Sequence, residues 1–298
     1  MQKSADRGVL TVQAFSYGAA QAHGDPLLAT QHELVIEEPL EIRVAGEALT
    51  LTMRTPGDDR HLALGFLFSE GVIAGLQDVG SVYHCGRTDD PAYGNAIEVT
   101  PGPGARLELE RLSRTRRVGL TTSACGVCGR DGIDDLLARL PRRAPARARV
   151  SAELLCRVPA LLLQGQPLFA RTGGLHAACA LSPTGELLAQ AEDVGRHNAV
   201  DKVIGRLLYA GALSDGESGL GCRAASRTCA RPHLLAVSGR ASFELVQKAA
   251  MAGFRCVASV SAPSSLAVAT AEAAGLTLAS FVREGRFTLY AHPEQVFE

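Results

Sequence analysis

Two cysteines lie three residues apart in the segment Ser123–Arg130, whose sequence is SACGVCGR. A helix is predicted directly after them, because Asp131–Leu140 carries apolar residues at helical spacing. Cys125 and Cys128 therefore lie near a helix N-terminus, where unpaired backbone N–H groups, the helix dipole and Arg130 favour the thiolate. A thiolate can attack sulfur or bind a metal. The spacing alone leaves three interpretations open: reactive thiols, a buried structural pair or half of a zinc site.

A second group of polar side chains falls at a predicted strand–helix junction. The segment Glu192–Asn198 has the sequence EDVGRHN and leads into the predicted helix His197–Ala210. Backbone N–H groups at a helix start bind anions, and Arg196 can form a forked pair with a phosphate. Asp193 or Asp201 can accept hydrogen bonds from a guanine edge or a ribose hydroxyl. The alternative is that Asp193 caps the helix and the other charges are simply solvated.

Strands and helices alternate regularly after Arg231. The predicted elements are a strand at His233–Val237, a helix at Ala241–Ala252, a strand at Phe254–Val260, a helix at Ser264–Ala274, and strands at Leu276–Val282 and Arg286–Ala291. This order predicts an α/β fold with a largely parallel sheet, whose carboxyl edge binds ligands. The loops at that edge are Ser238–Arg240, Ser261–Ser265 and Arg283–Arg286. The sequence contains neither the glycine fingerprint of dinucleotide-binding folds nor a P-loop motif.

The first half of the chain predicts a smaller α+β domain. Residues 1–32 show no periodic pattern, and we interpret them as a loose N-terminal arm. Alternating residues from Glu33 to Arg54 predict paired strands, and a short helix ending near Gly71 follows a turn at Thr55–Asp59. Further strands are predicted at Val79–Cys85, Ala96–Thr100 and Ala105–Leu112. The predicted organisation is the arm at 1–32, the α+β domain at 33–118, the CxxC loop with its helix and an Arg-rich linker at 119–150, and an α/β domain at 151–298.

Composition limits the classes of function. At 298 residues with a formal net charge of -1, the chain is long enough for about two domains, and its charge argues against a nucleic-acid-binding surface over the whole protein. Arginine clusters at 111–117 and 142–149 flank the CxxC segment, and phosphate-bearing ligands or plain solvation explain them equally well. The N-terminus lacks an apolar signal segment and the eight cysteines are scattered. These features predict a cytoplasmic protein without a transmembrane helix.

Six segments considered together resemble one known family. They are TPGDDRHLALGFLFSEG at Thr55–Gly71, SACGVCGR at Ser123–Arg130, RTGGLHAACAL at Arg171–Leu181, EDVGRHNAVDKVIG at Glu192–Gly205, VSGRASFELVQKAAMAG at Val237–Gly253 and SAPSSLAVATAEAAGLTL at Ser261–Leu278. On these segments, the sequence from about Leu34 to the C-terminus resembles the formate dehydrogenase accessory sulfurtransferase family, FdhD.

The resemblance implies a cytoplasmic sulfurtransferase that takes persulfide sulfur from a cysteine desulfurase and passes it to the molybdenum cofactor of formate dehydrogenase. The cofactor is expected in its guanine-dinucleotide form, Mo-bis-MGD, bound while it is sulfurated and not held permanently. Cys125 is expected to carry the persulfide, and Cys128 either assists transfer or resolves the persulfide as a disulfide. The resemblance also implies a homodimer that serves the formate dehydrogenase apoenzyme, with no nucleic-acid or membrane partner.

The resemblance further implies that the C-terminal domain has a cytidine-deaminase-like three-layer fold. The zinc signature of deaminases is not matched, because no proline precedes Cys125 and the His-x-Glu segment His292–Glu294 lies at the C-terminal end. No metal ligand is therefore assigned. The residues expected to bind the cofactor are Phe281, Val282, Arg283, Glu284, Gly285 and Arg286, carried over from the family, and Asp193, Arg196, His197, Asn198, Ser238, Arg240 and Ser264 on the other loops.

Two other classes of function remain open from the sequence. One is a zinc-binding or dithiol redox protein that uses the same CxxC, and the other is a non-catalytic chaperone that only holds the cofactor. The loop Ser214–Arg231, which contains Cys222 and Cys229, has no assigned role. We expect the segment Thr121–Arg149 to be a mobile loop that meets the sulfur donor and then folds back over the cofactor.

Overall fold

The computed structural model describes residues 8–17, 27–86, 93–105, 107, 140–141, 149–213 and 231–298. Cys125, Cys128, Cys222 and Cys229 lie outside these residues, as do most of the expected mobile loop and of the strand predicted at Ala105–Leu112. The boundary near residue 118 also lies outside them, so the division into domains stays a prediction.

The described residues of the N-terminal part form a hairpin, a four-stranded sheet and a helix. Its elements are β1 (Val9–Tyr17), β2 (Leu27–Val35), β3 (Glu38–Val44), β4 (Glu47–Arg54), α1 (Asp59–Ser69), a 3-10 turn (Leu76–Asp78), β5 (Val79–His84) and β6 (Ala96–Pro101). The sheet has the order β4-β3-β6-β5, and the apolar face of α1 packs on it around Leu62, Leu64 and Leu67. The predicted strand pair, helix and two further strands of this region are confirmed.

The interpretation of residues 1–32 as a loose arm is wrong for the described residues. β1 and β2 pair antiparallel along their whole length, from Val9 opposite Val35 to Tyr17 opposite Leu27. Arg171 holds the hairpin with two charge-assisted bonds of 2.7 and 2.8 Å to the Glu33 carboxylate. Cross-strand backbone bonds and this ion pair stabilise the hairpin. Neither produces an apolar periodicity in the sequence, which arises only where one face of a strand is buried, so the sequence does not predict the hairpin.

The C-terminal part is built on a six-stranded sheet with the order β13-β12-β11-β10-β8-β9. Its elements are β7 (Val150–Ser151), α2 (Ala152–Gln164), α3 (Pro167–Thr172), β8 (His176–Leu181), β9 (Leu187–Asp193), α4 (Arg196–Tyr209), β10 (Leu234–Val237), α5 (Phe243–Met251), β11 (Cys256–Ser259), α6 (Ser265–Ala274), β12 (Thr277–Arg283), β13 (Arg286–Ala291), a 3-10 turn (Pro293–Gln295) and β14 (Val296–Phe297). β7 and β14 pair separately.

The α/β fold class is confirmed, with one correction to the sheet. Parallel pairing is confined to β10, β11 and β12, whereas β8 pairs antiparallel with both β9 and β10, and β13 pairs antiparallel with β12. The sheet is therefore mixed but not largely parallel. Crossover helices α5 and α6 join the parallel strands, and short turns join the two outer pairs, because only antiparallel neighbours can be joined by a hairpin.

Helices cover both faces of this sheet and produce three layers. On β8, Ala178 and Ala180 face a core shared with α4, α5 and α6, whereas Cys179 and Leu181 face a core shared with α2. Successive strand residues point to opposite faces, so each face receives an unbroken apolar surface. Burial raises the pKa of Cys179 to about 12 and does the same for Cys256, which makes both unreactive core thiols.

The two parts of the chain are joined where α1 crosses α4 at backbone contact. A side chain on Gly65 would place its Cβ 1.8 Å from the Asp201 carbonyl oxygen, and one on Gly205 would come within 1.9 Å of the His61 carbonyl oxygen. Beside this crossing, the buried Lys248 of α5 bonds both Asp201 and Ser69 at 2.9 Å. Glycine is required here for close approach and not for an unusual backbone angle.

We expect Gly205→Ala to destabilise the protein by about 3 kcal/mol, at the upper end of the range for overpacking, because the obstructing atoms are backbone and cannot rotate away. Urea denaturation followed by circular dichroism would measure this. The control is Leu163→Ala, at an exposed position of α2, which should change stability by less than about 0.5 kcal/mol. Equal stabilities of the two variants would show that α1 and α4 do not approach this closely.

Candidate anion-binding site

Several loops meet at the carboxyl edge of the six-stranded sheet. β9, β10, β11 and β12 run in the same direction, so the segments that follow Asp193, Val237, Ser259 and Arg283 all lie at this edge. Helices α4, α5 and α6 begin there as well, with Gly195, Ser242 and Ser264 as their N-caps. Three helix N-termini beside one sheet edge produce a positive backbone potential, which favours anions.

Arg196 is the first residue of α4 and faces this space. Its Nε atom is buried and has no hydrogen-bond partner within the part of the chain that the structure describes. Burial lowers the pKa of Arg196 and the nearby charge of Arg240 lowers it further, while Glu244 acts in the opposite direction. The structure therefore brings Arg196 and Arg240 together. A buried guanidinium nitrogen without a partner, beside a second arginine, fits the oxygen of a phosphate or carboxylate.

Three further predicted residues border the two arginines or continue along the same edge. His197 contacts α5, with its Nε2 atom 2.8 Å from the Glu244 carboxylate. Ser238 Oγ accepts a bond of 2.9 Å from the Ala177 amide, and Ser264 Oγ accepts one of 3.2 Å from Ala267. Because each serine hydroxyl accepts these bonds, its own proton remains available for a ligand or a neighbouring side chain.

Asp193 and Asn198 lie beneath the site instead of lining it. The Asp193 side chain is fully buried and its carboxylate bonds Lys202, the Thr55 and Gly195 amides, and Asn198, at 2.6 to 3.2 Å. Asn198 Nδ2 also donates to the Met53 carbonyl at 2.7 Å. These saturated side chains hold the start of α4 and are not free to contact a ligand.

Asp201, the second aspartate considered for a guanine edge, is buried against Lys248 and Ser69. Its side chain is 4 % exposed, so it cannot reach a base or a ribose at the surface. The sequence reveals that Asp193 and Asp201 lie on either side of a strand–helix junction, but not that residues far away in the chain satisfy them.

The turn Phe281–Arg286 lies at the same edge but away from Arg196. β12 is two strands from β10 in the sheet, which is a lateral distance of about 10 Å at the usual strand spacing. Phe281 has a positive φ of 52° and a ring that is 42 % exposed, while Glu284, Gly285 and Arg286 are also exposed. Val282 is buried in the core, so its side chain cannot contact a ligand; Arg283 donates to the Val260 carbonyl.

His176 borders the candidate site but is not among the residues predicted from the sequence. It is the first residue of β8 and lies opposite Asp193 in the strand register. A Cβ atom on Gly239 would lie 3.3 Å from its Nδ1 atom and 3.5 Å from Arg196 Cβ, so the imidazole borders the arginines. The only sequence signal was a histidine at a strand start within RTGGLHAACAL.

Two general findings concern the described residues alone. Within them, no group of three His, Cys, Asp or Glu side chains is arranged to hold a metal ion. No helix among them is both long enough and apolar enough to span a membrane. The CxxC cysteines are outside this set, so the first finding does not bear on the zinc interpretation of that motif.

The fold and the candidate site define a mixed α/β protein with two arginines and three helix N-termini at one sheet edge. Comparison with known proteins identifies the family. The family model described as "FdhD/NarQ family" matches residues 35–297, and the chain belongs to this family.

Named relatives and one solved structure agree with this membership. A protein named "Sulfur carrier protein FdhD" from Anaeromyxobacter dehalogenans (strain 2CP-C) is 54% identical over 268 residues, covering 90% of each chain. The protein of the same name from Mycobacterium tuberculosis (strain ATCC 25618 / H37Rv) is 43% identical, covering 94% of this chain and 99% of its own. The crystal structure of "a putative formate dehydrogenase accessory protein from Desulfotalea psychrophila" aligns with a TM-score of 0.69 at 22% identity, over 97% of this chain and 100% of that one. At this identity the structure supports the fold alone.

Proposed function

We propose that this protein is a sulfur carrier in the maturation of formate dehydrogenase. Membership of the FdhD/NarQ family and the names of relatives at 43 to 54% identity support this role. We further propose that it is a sulfurtransferase: it accepts persulfide sulfur from a cysteine desulfurase on Cys125 and delivers it to Mo-bis-MGD destined for the apoenzyme. The cytoplasmic location and the homodimer implied by the resemblance belong to the same proposal.

The first step needs only thiol chemistry. The Cys125 thiolate attacks the outer sulfur of the donor persulfide, a new S–S bond forms at Cys125, and the donor cysteine leaves as its thiolate. No net oxidation occurs in this exchange. Release can follow by attack of Cys128 on the Cys125 sulfur, which forms a disulfide and frees sulfide; the two cysteine thiols then supply the two electrons. Assistance by Cys128 without a disulfide remains the alternative that the sequence left open.

The cofactor half of the proposal rests on one observation: the buried Nε atom of Arg196, near Arg240, has no hydrogen-bond partner among the described residues. Mo-bis-MGD is the substrate here, and it carries several phosphates and two guanines. Arg196, Arg240 and three helix N-termini suit the phosphates. The exposed Phe281 ring suits stacking on a base, and its positive φ is a strained conformation of the kind found at ligand sites.

Intact-protein mass spectrometry tests the carrier function. After incubation with a cysteine desulfurase and cysteine, the protein should gain the mass of one sulfur atom, and peptide mapping should place it on Cys125. A passive cofactor chaperone would gain none. Metal analysis of the same preparation addresses the zinc alternative, since stoichiometric zinc bound by the two cysteines would leave no free thiolate to accept sulfur.

We expect GDP, a fragment of Mo-bis-MGD, to bind at the basic edge, and Arg196→Ala to weaken this binding by about 1.5 to 3 kcal/mol through loss of a charge-assisted bond. Isothermal titration calorimetry measures the difference. Arg157→Ala is the matched control, because Arg157 is an exposed arginine on α2, which packs on the opposite face of the sheet from α4. Unchanged GDP affinity in Arg196→Ala would place the nucleotide site elsewhere.

A further inference from the structure

The imidazole of His176 lies next to Arg196, so an anion bound there would contact both groups. Antiparallel pairing of β8 with β10 places Val237 opposite Ala178, which brings the following loop residue Gly239 opposite His176. The absence of a side chain on Gly239 leaves the imidazole beside the loop Ser238–Arg240, with Arg196 next to it. His176 is half-buried, so part of the ring still faces the ligand space.

The described contact of the His176 ring is a long one, from Ser238 Oγ to Nδ1 at 3.5 Å, and it favours one tautomer. Ser238 Oγ already accepts from the Ala177 amide at 2.9 Å, so its hydroxyl proton can point towards His176 Nδ1, 3.5 Å away. With Nδ1 as the acceptor, the neutral imidazole carries its proton on Nε2. Within the described residues, Nε2 has no hydrogen-bond partner, which leaves this N–H group for a ligand.

The charges facing His176 come from three elements. Burial lowers the pKa of His176, and the charges of Arg196 and His197 on α4 lower it further; Asp193 at the end of β9 acts in the opposite direction. Arg240 follows β10, and its charge acts on Arg196. Asp193 is paired with Lys202 at 2.6 Å, so its carboxylate charge is largely compensated by that lysine and offsets little of the charge of Arg196. In the free protein, this surrounding keeps the imidazole neutral at neutral pH.

We propose that His176 contacts the phosphate groups of the ligand held at this edge and takes up a proton from solvent as they bind. This rests on the proposed function and adds a residue and a pH dependence to the same site. The terminal phosphate of GDP carries a charge of about -1.5 to -2 at neutral pH, and the two phosphates of each dinucleotide linkage in Mo-bis-MGD carry about -1 each, so either ligand more than cancels the repulsion from a single neighbouring arginine. The imidazolium then donates to the phosphate, and no covalent bond between heavy atoms forms or breaks.

The sign of the pH dependence follows from linkage. In the free protein the pKa of His176 is below its usual value, and a bound phosphate raises it. At any pH between these two pKa values, the bound protein therefore holds more protons than the free protein. Affinity therefore increases as pH falls from about 8 to about 6, by at most about tenfold per pH unit for one proton. Terminal phosphates titrate in the same range, so the contribution of the ligand must be separated from that of His176.

The test uses the full chain, GDP and calorimetry in buffers of different ionisation enthalpy, which reports protons taken up on binding. We compare wild type with His176→Gln, whose amide keeps a neutral donor near the Nε2 position but cannot titrate. The expected result is uptake of a fraction of a proton by wild type in excess of the variant, with affinities that differ less than about threefold at pH 8 and diverge as pH falls. Guanosine, which lacks phosphates, should produce no uptake.

Each outcome decides a different point. Equal proton uptake and equal pH dependence in wild type and His176→Gln would assign the effect to the phosphate itself and overturn the role of His176. A histidine outside the site serves as a check: His61→Gln, on α1, should behave as wild type. If GDP fails to bind wild type at any pH, both the nucleotide site of the proposed function and this inference fail, whereas sulfur loading of Cys125 is judged by its own mass measurement.

Discussion

Cys125→Ala protein should gain no sulfur when it is incubated with a cysteine desulfurase and cysteine, and it should leave formate dehydrogenase inactive in cells that lack the native protein. The thiolate is the attacking group in persulfide exchange, so no other change to the chain removes more of the proposed chemistry. The measurements are the intact mass after loading and the formate dehydrogenase activity of a complemented strain.

The matched control is Cys156→Ala, which removes a half-buried thiol from α2 and should retain both readouts. Cys128→Ala separates the two roles left open for the second thiol. If Cys128 releases sulfide by forming a disulfide, its variant should load sulfur normally but fail to mature the enzyme; if it only assists, both readouts should fall partially. Full maturation by Cys125→Ala would remove the persulfide site from this residue.

The regular alternation in the C-terminal part could be predicted closely from sequence. The helix expected at Ser264–Ala274 is α6 at Ser265–Ala274, and the strand expected at Arg286–Ala291 has those bounds in the structure. These elements bury one face or both, so their apolar periodicity is strong. The β1–β2 hairpin lacks such a signal, because its strands pair with each other and keep exposed residues such as Phe15 and Leu34.

The candidate site was predictable only in part. The predicted order of strands and helices indicates that Arg196, Ser238 and Arg240 each follow a strand end. Because these strands end at the same carboxyl edge of the sheet, the three residues lie at one site. Sequence could not show which polar residues are satisfied from elsewhere. Asp193 and Lys202 bond backbone groups of Thr55, which lie 138 and 147 residues earlier in the chain. Long-range polar contacts of this kind leave no periodic pattern, so the sequence alone does not distinguish buried structural residues such as Asp193 from residues that contact a ligand.

We expect the second large effect, a loss of stability, from Lys202→Met, which removes this polar contact between the two parts of the chain. Lys202 is 3 % exposed, and its ammonium lies 2.6 Å from the fully buried Asp193 carboxylate. It also donates to the Thr55 carbonyl at 3.1 Å and to the Glu192 carbonyl at 3.4 Å. Methionine retains the apolar stem and removes the charge. An uncompensated buried carboxylate is strongly unfavourable, so we expect a loss of stability of about 3 to 5 kcal/mol.

A double-mutant cycle identifies the cause. Asp193→Asn in the Lys202→Met background removes the uncompensated charge while preserving the size of the side chain, so the double variant should recover part of the lost free energy of unfolding, measured by urea denaturation. If the losses of stability of the two single variants add up to that of the double variant, the ion pair contributes no coupling energy. The pair holds the turn before α4, since Asp193 also bonds the Gly195 amide at 2.8 Å. The folded double variant should therefore bind GDP more weakly than wild type, because Arg196 begins the helix that this turn positions.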